Sequence, residues 1–289
     1  MPMQAFSHET VTVPCLVCGS ASHTPLLWFR GFRIARCLGC GFVFVNPRPT
    51  QASLLQLYTN PDENPFFAET YEELQYEAAV LLKVVQTIQT HVRGGELLEV
   101  GCGRGDLLRI AQARGFSVTG CDFFGDKAPE LPGASFHEGT LGEATFPEHA
   151  FDVVVVRNML EHVFDPNREI AEIRRVLQPH GYLYLKVPNV RFEYGLGCRL
   201  VFGKRHAFEA PYHLNHFAPK TLTRFLHRAG FEVVAWSLEQ PTPSPRWGVN
   251  VARQAGYRAI RGIARLTGGR PFPRILLCCL ARKKESACA

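Results

Sequence analysis

The chain has 289 residues, with 32 Lys and Arg against 26 Asp and Glu and a formal charge of +6. Apolar residues make up 46% and charged residues 20%, the balance of a globular protein large enough for one substantial domain and a small appendage. The charge favours an anionic partner but falls well short of a nucleic-acid-binding composition. No apolar run approaches a membrane span, and the N-terminal stretch lacks the apolar core of a secretion signal, so the expected location is cytoplasmic.

Ten cysteines suggest disulfides, but four of them fall in two pairs, Cys15/Cys18 and Cys37/Cys40, with eighteen residues between the pairs. In a chain expected inside the cell, C-x2-C…C-x2-C is zinc spacing. Gly19 and Gly41 follow the pairs and suit tight knuckle turns that aim both sulfurs at one ion. Four thiolates close a tetrahedral site and leave no position for water, so the expected zinc is structural. Residues 1–49 thus read as a zinc ribbon, with strands around Trp28 and Ile34, then 42–45. It either caps the larger domain or recognises substrate.

Residues 50–93 read as connecting helices. Leu54, Leu55, Leu57 and Tyr58 form one apolar face. Leu74, Ala78, Leu81, Leu82, Val85 and Ile88 repeat with helical period, and Gly94-Gly95 stops the helix. Between them, Pro61 and Pro65 sit in a loop with Phe66, Phe67 and Tyr71, which either line an active site or pack on the core.

An apolar strand at Leu97-Leu98 then runs through Glu99 into Gly101-Cys102-Gly103-Arg104-Gly105 and a helix over 107–114. Alternate glycines bend the backbone and let a ligand approach. The spacing is E-x-G-x-G-x-G, not the G-x-G-x-x-G of dinucleotide folds. A second strand, 117–121, ends at Asp122, which lies 21 residues beyond Gly101, one βαβ repeat on. A weak third strand at 135–138 leads into Gly139-Thr140-Leu141. The run 151–156 is continuously apolar, as in a parallel strand covered on both faces, and ends in Arg157-Asn158-Met159-Leu160-Glu161-His162. A helix over 166–177 and a fifth strand over 182–187 follow, ending in Pro188-Asn189. His213 and His216 lead into a helix that ends at Gly230. Residues 231–236 and 274–281 supply strands six and seven.

Glu99-x-Gly-x-Gly-x-Gly, Asp122, the Leu160-Glu161-His162-Val163 exit and the Pro179-His180-Gly181 turn together resemble the class I S-adenosylmethionine (SAM) dependent methyltransferases, in particular zinc-ribbon-bearing members of sugar and secondary-metabolite pathways. The resemblance implies an α/β fold, a Rossmann-like seven-stranded sheet with an antiparallel last strand, over residues 94–289, with insertions at 190–212 and 241–272. It implies SAM as cofactor, held by Glu99, Gly101, Cys102, Gly103, Asp122, Phe123, Thr140, Leu141, Asn158 and Met159. Asp122 would take both ribose hydroxyls, since two carboxylate oxygens match two neighbouring donors.

Chemistry is expected from His162, whose ordinary pKa near neutrality suits proton abstraction, with His213 and His216 lining the acceptor pocket. Glu161-His162 could instead only fix the loop over the cofactor. Metal-using relatives carry E-x-x-E-H here. In this chain the first carboxylate is replaced by Asn158, leaving at most a weak divalent site. The acceptor is expected to be a small molecule, with a cationic lid over 191–210 suited to an anionic one. The alternatives are an RNA methyltransferase gripping its substrate with the ribbon, and a nonenzymatic SAM-binding protein. A basic amphipathic stretch over 251–266 suits an anionic membrane surface, or docking on the protein itself, which is the preferred reading. Oligomeric state is not legible.

Overall fold

The computed structural model describes residues 9–59, 78–123, 130–193, 209–237 and 276–285, with single positions at 255 and 258. Residues 194–208 of the expected 190–212 insertion, the 241–272 insertion apart from 255 and 258, the aromatic loop around Phe66 and nearly all of the basic stretch lie outside the described residues.

Seven strands form the central sheet: β6 (Gly95–Val100), β7 (Phe116–Asp122), β8 (Ser135–Glu138), β9 (Phe151–Arg157), β10 (Leu177–Pro188), β12 (Phe231–Ser237) and β13 (Leu276–Lys283), in the order β12-β13-β10-β9-β6-β7-β8. The β10–β9, β9–β6, β6–β7 and β7–β8 pairs are parallel, and β13 runs antiparallel to both β10 and β12. The central strands are apolar at successive positions because helices cover both faces.

On one face, Leu97, Val153, Val155 and Tyr184 pack against Leu81, Val84 and Ile88 of α2 (Ala78–Gln89) and Leu107 and Leu108 of α3 (Asp106–Gln112). The other face buries Leu98, Val154, Val156 and Leu185 against α4 (Pro166–Val176) and α6 (Pro219–Arg228). Helix α4 starts where Asp165 accepts from the Asn167 and Arg168 amides, an N-cap followed at once by Pro166. The sequence extends this helix through Leu177. Leu177 instead opens β10, which pairs there with Phe151 and resumes at Tyr182 after a bulge.

The cysteine-rich segment is not a detached module. Strands β2 (His23–Phe29), β3 (Phe32–Cys37) and β4 (Val43–Val45) form an antiparallel sheet whose fourth strand is β11 (Asn215–His216), contributed from the far end of the chain. Short strands β1 (Thr10–Val11) and β5 (Arg48–Pro49) pair beside it. Phe42 stacks on Phe44 at 5.6 Å and meets Phe217 at 5.1 Å, and Phe217 meets Phe225 of α6 at 5.5 Å, so the ribbon sheet and the large core form one apolar cluster. The helix expected to begin at His213 begins at Pro219. Residues 213–218 are spent on β11 and its flanks because they close the ribbon sheet. Helix α1 (Gln51–Thr59) buries Leu54 and Leu57, whereas Leu55, expected on the same face, is 47% exposed. A short helix, α5 (Val190–Glu193), follows β10.

Candidate active site

The glycine turn sits between β6 and α3. Gly101 has φ 74° and Gly103 φ 50°, left-handed values that a side chain disfavours. The turn is fastened to the second strand: the Gly101 amide donates to Cys121 O at 2.8 Å, and the Gly103 amide to Asp122 Oδ2 at 2.7 Å. Gly120 permits this closeness, since a Cβ there would lie 2.7 Å from Cys102 Sγ and 3.0 Å from Leu108. One Asp122 oxygen therefore already accepts a backbone hydrogen bond.

A cleft of about 220 Å³ opens at this turn, lined by Leu81, Glu99, Gly101, Cys102, Gly103, Arg104, Asp106, Leu107, Arg157 and Asn158. Glu99 is only 4% exposed, and its Oε2 has no hydrogen-bond partner among the described residues. Burial lifts its carboxyl to about 8, against the pull of the Arg157 charge. Asn158 closes β9 with φ 51°, a left-handed conformation that Asn tolerates. Of the other expected cofactor residues, Phe123 is 40% exposed beside Asp122, and Met159 is half-buried next to Gly101. Thr140 is turned into its own loop, donating through N and Oγ1 to Glu143 at 2.8 and 2.7 Å. The Leu141 side chain is buried in the core. Leu81, Arg104, Asp106, Leu107 and Arg157 line the cleft outside the set expected from sequence; the signal available for Arg157 is its place at the tip of the fourth strand.

His162 stands one turn beyond this cleft, in the loop leaving β9. Its Nδ1 lies 2.8 Å from Tyr58 Oη and 3.2 Å from the Tyr212 carbonyl, and Tyr58 Oη donates to the same carbonyl at 3.3 Å. A carbonyl only accepts, so these contacts are mutually satisfied when Nδ1 carries the proton and Nε2 keeps its lone pair. Nε2 is 4.0 Å from Glu161 Oε1. Burial, with a contribution from the His216 charge, lowers His162 to about 4 even though the Tyr212 carbonyl raises it. The near-neutral value expected from sequence is thus corrected: the imidazole is neutral throughout the physiological range. His213 is likewise held well below its ordinary value, by burial and by His162 and His216. Its ring meets that of His162 edge-on at 4.6 Å, and its Nε2 lies 3.3 Å from Glu209. Glu161, His162 and His213 have ligand atoms within 4.8 Å of one another; His216 stands behind them, its ring 6.4 Å from that of His213 and its backbone paired with Val43 in the ribbon sheet.

This loop is held from the ribbon side. The Leu214 and Asn215 amides donate to Glu161 O at 2.8 and 3.0 Å, and Asn215 Nδ2 donates to Leu160 O and Val163 O. Arg48, fully buried, donates to Phe164 O at 2.8 Å, to Leu214 O at 3.4 Å, to Asn215 Oδ1 at 3.3 Å and to Val45 O at 3.3 Å. Burial brings its guanidinium down to about 10, so it stays charged at neutral pH.

The sulfurs of Cys15, Cys18, Cys37 and Cys40 lie within 4.8 Å of one another, with Cys15–Cys40 and Cys18–Cys37 at 3.5 Å. A tetrahedral zinc–sulfur site requires S···S separations of about 3.8 Å, so the set fits one ion. Burial raises Cys15 strongly and Cys40 to about 11. Cys37 is also raised by burial, but amides of Cys40 and Gly39 and the neighbouring thiols bring it to about 7.

Among the described residues, a mixed seven-stranded sheet whose one reversed strand is the penultimate in spatial order, with a glycine turn at the carboxyl end of β6, the first of its parallel strands in the chain, is the class I methyltransferase fold. Residues 71–235 match the family described as Methyltransferase domain, and the chain belongs to that family. A probable S-adenosylmethionine-dependent methyltransferase of Mycolicibacterium smegmatis is 31% identical over 160 residues, which span 52% of this chain and 57% of that relative. The ubiquinone biosynthesis O-methyltransferase of Pseudomonas syringae is 33% identical over 114 residues, 35% of this chain and 47% of that protein. The chain thus spans about half the length of these two relatives. Among solved structures, the 1,6-didemethyltoxoflavin-N1-methyltransferase of Burkholderia thailandensis, with bound S-adenosylhomocysteine, superposes with a TM-score of 0.56 at 18% identity, covering 90% of this chain and 99% of that one. Among the described residues, no helix is long and apolar enough to cross a membrane.

Proposed function

We propose that this protein transfers the methyl group of SAM to a hydroxyl of a small molecule, such as a sugar or secondary-metabolite intermediate. The observation that carries the reading is the cleft at the carboxyl edge of the sheet, where the glycine turn, the unpartnered Glu99 oxygen and the exit of the fourth strand meet. Ligands of open α/β sheets bind at that edge.

When bound, SAM supplies an electrophilic methyl group that a nucleophile takes by in-line displacement. The turn of Glu99, Gly101, Cys102 and Gly103 would let the donor approach the backbone, and Asp122 would accept from its ribose hydroxyls. Phe123, exposed beside Asp122, and the Thr140-Leu141 backbone would help to hold its adenine moiety, and Asn158 and Met159 would complete the donor-binding set. His162 takes the proton of the acceptor hydroxyl at Nε2, while Nδ1 stays fixed by Tyr58 and Tyr212. Glu161 Oε1 lies 4.0 Å from the Nε2 atom. His213 and His216 line the acceptor side. The four cysteines hold a structural zinc. The neutral imidazoles performing this role need no second metal, although Glu161, His162 and His213 are close enough to share a cation.

Two variants separate binding from chemistry. Asp122→Ala should weaken SAM binding by about 10- to 100-fold, the loss of charged hydrogen bonds. His162→Gln should retain SAM affinity and lose about 100- to 10,000-fold in kcat. Full turnover by His162→Gln would remove the base, and loss of that turnover on chelation, at unchanged cysteine-bound zinc, would replace it with a metal. Metal analysis should return one zinc per chain, reduced in Cys37→Ser; a metal-free, fully folded protein would contradict the zinc assignment.

A further inference from the structure

We propose that a groove on the other side of the sheet from the donor cleft is a second binding site, which takes a small molecule with an apolar body and a phosphate or carboxylate group. The groove has a volume of about 470 Å³, within the range of small-molecule sites, and shares no lining residue with the donor cleft.

Its walls come from three parts of the chain. Asn167, Ile170, Ala171 and Arg174 recur at helical spacing and form one stripe of α4. The end of α6 contributes Phe225 and Arg228. Val17, between the cysteines of the first knuckle and buried, adds a wall from the ribbon. Ile170 and Phe225 are buried in the core cluster that covers this face, so the floor of the groove is apolar. A Cβ at Gly230 would lie 2.7 Å from Arg174 Nε, so the glycine is what lets the Arg174 side chain lie across the end of α6.

Both charged side chains of the groove are arginines, and no Asp or Glu lines it. Of the acids on α4, Glu172 pairs with Arg175, and burial raises Glu169 to about 7, which reduces its charge near neutrality. The Phe225 and His227 carbonyls at the end of α6 accept from the Ala229 and Gly230 amides at 3.1 Å, so they are already engaged. Arg228 is exposed at the rim, where a planar guanidinium matches a carboxylate or phosphate through two parallel hydrogen bonds. Arg174 keeps contacts within the protein as well. With five N–H donors, a guanidinium can serve these and a ligand together. A bare anion would leave the apolar floor uncovered, and a neutral apolar molecule would forgo the guanidiniums. A molecule with both parts uses the whole groove.

Fluorine NMR of para-fluorophenyl phosphate, para-fluorobenzoate and para-fluorophenol added to the full chain tests this. Wild type should broaden the line of at least one of the two anions at concentrations where the phenol, uncharged at neutral pH, stays sharp. Inorganic phosphate should compete only weakly, because it covers none of the floor. Arg228→Met, a change at an exposed position that keeps an apolar stem, should weaken the bound anion about 10-fold. Ala171→Trp, also at an exposed position, should block the groove and abolish the binding, with a melting temperature close to that of wild type. Binding that survives Ala171→Trp lies elsewhere on the protein and overturns the proposal. So does binding indifferent to Arg228→Met, equal binding of the phenol, or binding of neither anion by wild type. A dimer in sedimentation that Ala171→Trp disperses would give the groove to a second copy of the chain and overturn it as well.

Discussion

Glu99 shows how burying one side chain ties stability to pH. Its carboxyl is raised to about 8 by burial, while an unfolded chain would ionise it near the ordinary carboxylate value. Between roughly pH 4.5 and 8 the ligand-free folded protein therefore binds more protons than the unfolded one, and stability falls as pH rises through that window. The slope contributed is at most about 1.4 kcal/mol per pH unit. Thermal melts of the ligand-free protein should show this decline, and Glu99→Gln should flatten it; an unchanged slope in the variant would mean that Glu99 is ionised in the folded state. The sequence exposes Glu99 because the acid before a glycine turn stands out. It does not expose the positions of Arg157 or Tyr58, which depend on strand register and on a helix about a hundred residues before His162. His162 itself is legible as a residue but not in its protonation, since desolvation is a property of the packed loop.

At the scale of elements, strands buried on both faces are the easiest to read, because uninterrupted valines at 153–156 have few other uses. Boundaries fail where a partner lies far away in sequence. Residues 213–218 look like the approach to a helix, but β11 pairs with β4 across some 170 residues, and no local pattern announces two paired residues. Arg48 belongs to the same junction. In sequence it is an arginine between prolines, whereas in the fold it is a buried cation spanning the ribbon, the 214–215 segment and the loop that carries His162. Arg48→Met would leave these acceptors without their charged donor, at a cost of about 2–4 kcal/mol. Chemical denaturation should register that loss, and a variant as stable as wild type would show the junction to be held by its apolar contacts alone.

For the whole molecule, cysteine spacing announces the four-cysteine cluster and glycine spacing announces the turn after β6, because both rest on short local geometry. Their union is not announced. The ribbon sheet borrows β11, and the backbone next to β11 holds the Glu161 carbonyl, so the cysteine cluster is mechanically continuous with the His162 loop. This favours a supporting role for the ribbon over substrate capture. Acceptor identity is the least legible property, because a pocket for it would draw on irregular segments whose sequence carries no periodicity. The most direct test supplies the protein with SAM labelled in its methyl group together with separated small-molecule and RNA fractions of a cell extract, and follows the label by mass spectrometry. The account predicts label on the oxygen of a low-molecular-weight product, absent with His162→Gln. Label confined to RNA, or tight SAM binding with no labelled product in either fraction, would contradict it.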